Sequence, residues 1–290
     1  MQDSASFQPL RRAHGRIHRG LVKLRPPVAL PSYHSEVPSV HLTDYRATAE
    51  IDHTWDENYP ALIGACQIGE MATSSGCLGE VMRVLDALEP DSYTRYLQAY
   101  YAAGRSRYGD LWRYADITTL LYAVSALIRP QRYLEIGVRR GRSSAMVAAA
   151  SPTVDVVGFD MWVEDYGGMV NPGGDFVLSE LKKVGFAGRT EFVSGDSHVT
   201  VPDYFQKHPD SYFDLITVDG DHSERGASMD LRVVLPRLKI GGVIVFDDIA
   251  SPGAGFLRDV WRRYVGDQGR FVSWEFDELG FGVACAVRRY

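Results

Sequence analysis

The sequence predicts an α/β protein: a seven-stranded, mostly parallel sheet covered by helices on both faces, ending in an antiparallel hairpin and preceded by a helical extension. Three observations carry this prediction. From about residue 111 onward, short apolar runs alternate with helical stretches, the pattern of a parallel sheet buried on both sides. The last two apolar runs, near Phe271 to Glu275 and Gly282 to Val287, lie too close together for a helical crossover and must pair antiparallel at the sheet edge. Before residue 111, apolar side chains recur at three- and four-residue intervals, which is a helical period.

Taken in order, residues 1–35 form a basic, proline-containing arm with Arg11, Arg12, Arg16, Arg19, Lys23 and Arg25, then Pro26, Pro27 and Pro31. Such an arm either contacts an acidic partner or a membrane surface or, the commoner outcome, packs on a neighbouring subunit or stays partly ordered. Residues 36–110 read as short helices interrupted at Pro60 and at Glu89-Pro90-Asp91-Ser92, a region suited to lid or oligomer contacts. Its aromatic run Tyr93, Tyr96, Tyr100 and Tyr101 either lines a pocket or is plain core, and core is the commoner outcome. Residues 111–290 make the main domain. A helix from about Tyr114 to Ile128 stops at Arg129-Pro130, and the parallel strands follow at Tyr133 to Val138, Val154 to Phe159, Thr190 to Ser194, Phe213 to Val218 and Gly242 to Phe246. Five β/α units ending in a hairpin resemble the Rossmann-like class I methyltransferase fold and differ from a dinucleotide dehydrogenase.

Composition narrows the function. A formal charge of −6 argues against nucleic acid as the main partner, because phosphate neutralisation needs a basic face. No run approaches the roughly 18 to 20 apolar residues that span a bilayer. Cys66, Cys77 and Cys285 sit at no metal-ligand spacing and form an odd set, which fits a reduced, cytoplasmic protein better than a disulfide scaffold.

The first strand runs through Glu135, Gly137 and Gly141 to Ser143 and directly into an alanine-rich helix. Glycines at such a turn let the backbone approach a ligand closely. The spacing is Gly-x-x-x-Gly, whereas a dinucleotide pyrophosphate calls for Gly-x-Gly-x-x-Gly. S-adenosylmethionine (AdoMet) has no phosphate; it carries an amino-acid tail and a sulfonium cation, both suited by an acidic residue such as Glu135 at the strand end. The second strand ends at Asp160-Met161-Trp162, where a carboxylate can take two ribose hydroxyls and an apolar residue can cover adenine. The third ends at Asp196-Ser197, where Asp196 can accept from the adenine amino group; the plain alternative makes Asp160 and Asp196 helix caps. The carboxyl edge of an open parallel sheet is where such ligands bind.

The fourth strand leads into Asp219-Gly220-Asp221-His222 and the fifth into Asp247-Asp248. Neighbouring parallel strands bring these ends together, so Asp219, Asp247 and Asp248 converge. Three carboxylates in one cleft repel each other, and an all-oxygen set selects Mg²⁺ or Mn²⁺ over zinc. Together these segments resemble the metal-dependent O-methyltransferases: the catechol type and, more closely, the macrolide- and aminocoumarin-sugar O-methyltransferases with the rhamnosyl O-methyltransferase/cephalosporin hydroxylase-like group. In that family an Asp after the fourth strand and an acidic pair after the fifth hold the metal, at the spacing seen between Asp219 and Asp247. The resemblance covers about residues 111–290 and implies AdoMet as cofactor, Asp219 also touching it, and a homo-oligomer.

The resemblance leaves the base open between two neighbours. The catechol type has a Lys where this chain has His222; the aminocoumarin-sugar type is thought to place its base at the position of Asp221. His222 is the favoured reading, since imidazole takes a proton near neutral pH. Metal coordination lowers an alcohol's pKa, and a vicinal diol would chelate, so the expected acceptor is a small molecule with a sugar or polyol hydroxyl, as in natural-product tailoring. A phenolic-diol methyltransferase, another AdoMet-dependent tailoring enzyme and a non-catalytic AdoMet-binding module are the alternatives; a nicotinamide oxidoreductase fits least. Val163 to Asp175 is long for a strand-to-helix link and reads as a lid, with Tyr166 a contact. His198 reads as structural.

Overall fold

The computed structural model describes residues 62–165 and 168–290. The basic arm, Pro60 and Tyr166 therefore lie outside the described residues. Three helices come first: α1 (Ala65–Ala72), α2 (Ser75–Ala87) and α3 (Ser92–Tyr108). Each of the last two starts where a side chain satisfies an orphan N–H: Ser74 accepts from Cys77 N, and Asp91 accepts from Thr94 N. Helix α4 (Ile117–Ile128) begins three residues later than its apolar pattern. Asp116 holds extended backbone and takes the Thr118 and Thr119 N–H groups, while the Thr119 hydroxyl accepts from the Asp116 N–H. This capping box sets the start of the helix.

The sheet follows, with β1 (Arg132–Ile136), β2 (Asp155–Asp160), β3 (Thr190–Ser194), β4 (Phe213–Val218), β5 (Leu238–Asp247), β6 (Phe271–Phe276) and β7 (Val283–Arg288). Helices α5 (Arg142–Ala150), α6 (Gly174–Lys183), α7 (Ser197–Lys207), α8 (Glu224–Val234) and α9 (Phe256–Trp261) connect them. The strand order is β3-β2-β1-β4-β5-β7-β6. Strands β1 to β5 run parallel, and β7 lies antiparallel between β5 and β6, so the expected hairpin closes the sheet with its second strand inward. This is the class I methyltransferase fold.

Alternating side chains divide the core into two layers. Tyr133, Leu215, Val243, Val245, Val283 and Cys285 face one side, where they pack with α1, α2, α4 and α5. Leu134, Ile136, Ile216, Ile244, Phe246 and Ala284 face the other, against α7, α8 and α9. Leu78, Val81 and Leu85 of α2 belong to the first layer, so the helical region shares one core with the sheet. Burial of that much apolar surface is the main force holding it there. Among the described residues no helix is long and apolar enough to cross a membrane.

Candidate active site

A cavity of about 680 Å³ opens at the carboxyl ends of β1 to β5. Its floor is the turn after β1. Gly137 has φ +92°, and a Cβ there would stand 1.8 Å from the Asp219 carbonyl oxygen, so only glycine lets the β1 and β4 ends approach this closely. Arg139 in the same turn is left-handed (φ 49°), and Gly141 (φ 76°) opens α5. The chain thus leaves β1 two residues earlier than its apolar run suggests.

Glu135 lies beneath this turn, fully buried, and is not among the residues lining the cavity. The Ser143 and Ser144 hydroxyls donate to its two oxygens. Burial pushes its pKa up to about 8, in spite of those hydroxyls. As placed, Glu135 braces the turn from below, while Gly137 and Ser143 line the cavity. Asp160, at the end of β2, lines the cavity and ties two loops together: Oδ2 accepts from Arg139 N at 2.7 Å, and Oδ1 from Trp162 N at 2.6 Å. Met161 projects into the opening and is 60% exposed, whereas Trp162 is turned to the β3 side, donating to Ser194 Oγ at 2.9 Å and meeting Phe192 edge-on. Of these two neighbours, Met161 is the one that lines the cavity. Asp196 caps α7 by accepting from His198 N, and still reaches the cavity with Ser197 and His198. Cap and lining residue are therefore the same side chain.

The ends of β4 and β5 make the acidic side. His222 Nε2 sits 3.2 Å from Asp219 Oδ1 and 3.1 Å from Asp248 Oδ2, and ligand atoms of all three lie within 4.8 Å of one another. Hydrogen bonds to Asp219 and Asp248 push the His222 pKa up to about 11. Asp247 lines the same cavity but stands outside that tight group, its pKa raised by burial and then by Asp219 and Asp248. The expected set of Asp219, Asp247 and Asp248 thus converges on one cavity, with His222 in the third close position. Asp248 holds a left-handed backbone (φ 63°), which turns its carboxylate back toward Asp219. Asp221 also lines the cavity, with its carboxylate tied toward α8: Oδ1 accepts from Ser223 N, and Oδ2 lies against Gly226 at the start of that helix. An oxygen-rich, under-neutralised cluster of this kind fits a hard divalent cation.

The opposite wall comes from Tyr93 of the aromatic run and from residues the sequence did not single out: Leu97 of α3, Asp116, Ile117 and Thr118 at the start of α4, and Phe281 from the β6–β7 link. Of the latter, only Asp116 carries a local signal, the capping box it forms with Thr119. The tyrosine run divides by position, with Tyr93 on the cavity wall, Tyr101 fully buried and Tyr96 56% exposed. Arg140 and Arg142 fasten this wall to the β1 turn through Asp91, at 3.0 and 2.5 Å. Arg140 also donates to the Val170 carbonyl at 3.0 Å, tethering the long loop after β2.

Residues 134–249 match the family described as methyltransferase domain. No curated protein matches the chain. Among solved structures, the calicheamicin methyltransferase CalS11 is 20% identical, covering 74% of this chain and 91% of its own, with a TM-score of 0.44. The O-methyltransferase TomG from Streptomyces achromogenes, solved with SAM, is 21% identical over 70% and 92%, with a TM-score of 0.48. An O-methyltransferase from Bacillus cereus in complex with SAH is 16% identical over 85% and 100%, with a TM-score of 0.47. Substrates and residue roles do not carry over at such distances. The matched segment runs from within β1 to just past the Asp247-Asp248 pair and so contains the glycine turn and the acidic side of the cavity. Residues 134–249 are thus similar to a methyltransferase domain, carried on a sheet of the class I topology.

Proposed function

We propose that the chain transfers the methyl group of AdoMet to a hydroxyl of a sugar or polyol-bearing small molecule, with Mg²⁺ or Mn²⁺ held by Asp219, Asp248 and Asp247. One observation carries the reading: the Gly137 turn, Asp160 and Asp196 share a single cavity with His222 and the three metal-side carboxylates. AdoMet would be held by the first group, with Asp160 for the ribose hydroxyls, Met161 for adenine, and Asp196 and Ser197 beside it. A divalent cation at the second group would lower the pKa of a coordinated hydroxyl and orient it. With a cation on Asp219 and Asp248, the pairing that holds His222 protonated would be relieved, and its imidazole would take the proton as the hydroxyl oxygen attacks the methyl carbon and the carbon–sulfur bond breaks. Asp221 is the weaker base candidate, because its carboxylate faces α8. In-line positioning supplies much of the rest, since the methyl group is already activated.

Tyr93, Leu97, Ile117 and Phe281 give the acceptor wall an apolar face, which keeps a phenolic diol as a second reading. Free cysteines among the described residues are consistent with a reducing, cytoplasmic setting. A role in natural-product tailoring and assembly as a homo-oligomer belong to the same proposal. The test is calorimetric titration of AdoMet with Mg²⁺ and after chelation, followed by methyl transfer to diol-bearing sugars and to catechols. Turnover on sugars that chelation, Asp219→Asn and Asp248→Asn each abolish supports the proposal. Turnover on catechols alone selects the second reading, and absence of AdoMet binding overturns both.

A further inference from the structure

Helix α8 buries an aspartate where its neighbours on the same face, Ala227, Leu231 and Val234, are apolar. Asp230 has 0% exposure. Burying a carboxylate costs free energy unless partners compensate, and a leucine or valine would fill the same place without that cost. Its surroundings show what the acid group is for. Oδ1 accepts from the Ser197 hydroxyl at 2.8 Å and lies 3.5 Å from His198 Nε2. Oδ2 has no hydrogen-bond partner and stands directly under Gly220, where an added Cβ would come within 2.9 Å of it and 2.7 Å of Ile136 Cγ2. The Asp221 main-chain N–H faces the same carboxylate, and burial pushes the Asp230 pKa up to about 6.

Asp230 therefore touches two loops that follow neighbouring functions but distant strands. Ser197 and His198 open α7 on the side of Asp196, whereas Gly220 and Asp221 sit between Asp219 and His222. Strands β3 and β4 are separated by β2 and β1 in the sheet, so no ladder hydrogen bond links these two loops. Resting on the reading proposed above, we propose that Asp230 is a positioning residue: it joins the Ser197–His198 segment to the Gly220–Asp221 segment, so that the cofactor side and the metal side of the cavity are set as one unit. The small size of Gly220 is part of the device, because any side chain there would lift the Asp219–His222 loop off Asp230. Asp230 itself is not among the residues lining the cavity.

The test compares wild type with Asp230→Ala, Asp230→Asn, Ser197→Ala and Val234→Ala, measuring AdoMet and Mn²⁺ affinities separately by calorimetry and unfolding by heat. Asp230→Ala is expected to weaken both affinities by about fivefold or more. Ser197→Ala, which removes one arm, should weaken AdoMet and leave Mn²⁺ within about twofold. Val234→Ala opens a cavity one turn along the same helix, so it should lower the melting temperature and move neither affinity. If Asp230→Ala does not fold, Asp230→Asn is judged by the same criteria. Both affinities staying within about twofold of wild type in the folded Asp230 variant would overturn the inference alone. Equal weakening by Val234→Ala would also overturn it, because lost stability would then account for everything. Wild type that binds neither AdoMet nor Mn²⁺ sinks the functional reading and this inference with it.

Discussion

At the scale of single residues, Glu135 shows how burial redirects an ionisable side chain, and His222 shows how charged neighbours do. Glu135 has a folded pKa near 8 against an ordinary 4.5, so the native state binds the proton more tightly than the unfolded chain does. Its contribution to stability is therefore complete below about pH 4.5 and declines as pH rises toward about 8. Glu135→Gln keeps the shape of the neutral acid and removes the titration. In urea unfolding across this window, the variant should gain on wild type steadily as pH rises, with the difference levelling off above pH 8. A variant that instead loses ground would show Glu135 ionised and held by Ser143 and Ser144. For His222, replacement by alanine is expected to lower kcat by about 10²- to 10⁴-fold while AdoMet affinity stays within about twofold. Initial rates and calorimetry check this together, and collapse of AdoMet binding would make His222 a structural support instead of a base.

At the scale of elements, the helix starts matter more for the site than the helices themselves. Asp116 caps α4, receives a hydrogen bond from the Tyr101 hydroxyl and reaches the cavity. Asp116→Ala removes the cap and should cost about 1–2 kcal/mol, read as a lower denaturation midpoint at unchanged slope. The Asp91 cap of α3 is tied to the β1 turn through Arg140 and Arg142, and its carboxyl pKa, which burial alone would raise, is held below the ordinary value chiefly by Arg142. Likewise Asp196 caps α7 beside the cavity. Caps place polar side chains at loop ends with fixed backbone, and the carboxyl edge of a parallel sheet collects those ends in one cleft.

At the scale of the whole molecule, the proposed function would draw its cofactor and metal sides from the sheet's parallel half and its acceptor wall from α3, the start of α4 and the β6–β7 link. The sheet and the helical region are welded by a common apolar layer from Leu78 and Val81 through Tyr133 to Val245 and Cys285. Acceptor choice should then respond to changes in these wall residues. Tyr93→Ala, which trims the wall on α3, is expected to raise acceptor KM by about tenfold, the worth of a well-placed aromatic contact, with AdoMet affinity unchanged. Steady-state kinetics against several diol-bearing acceptors measures it; a loss of AdoMet binding instead would place Tyr93 on the cofactor side.

The sequence by itself determined the layered α/β fold and the residues of the sheet edge, because both are local. Continuous apolar runs, period-3.6 burial, a glycine turn after β1, and acids at the ends of β2, β3, β4 and β5 are readable one segment at a time, and the topology of parallel strands then brings those ends together. Tertiary structure alone decided which of the acids face the cavity. Glu135 alternates into the sheet and lies under its turn, whereas Asp248 faces Asp219 because its backbone is left-handed. It alone also selected Tyr93, Asp116 and Phe281 as the opposite wall and set Asp230 beneath Gly220. These positions lie far apart in the chain and carry no local period, so nothing short of the folded core could bring them to one place.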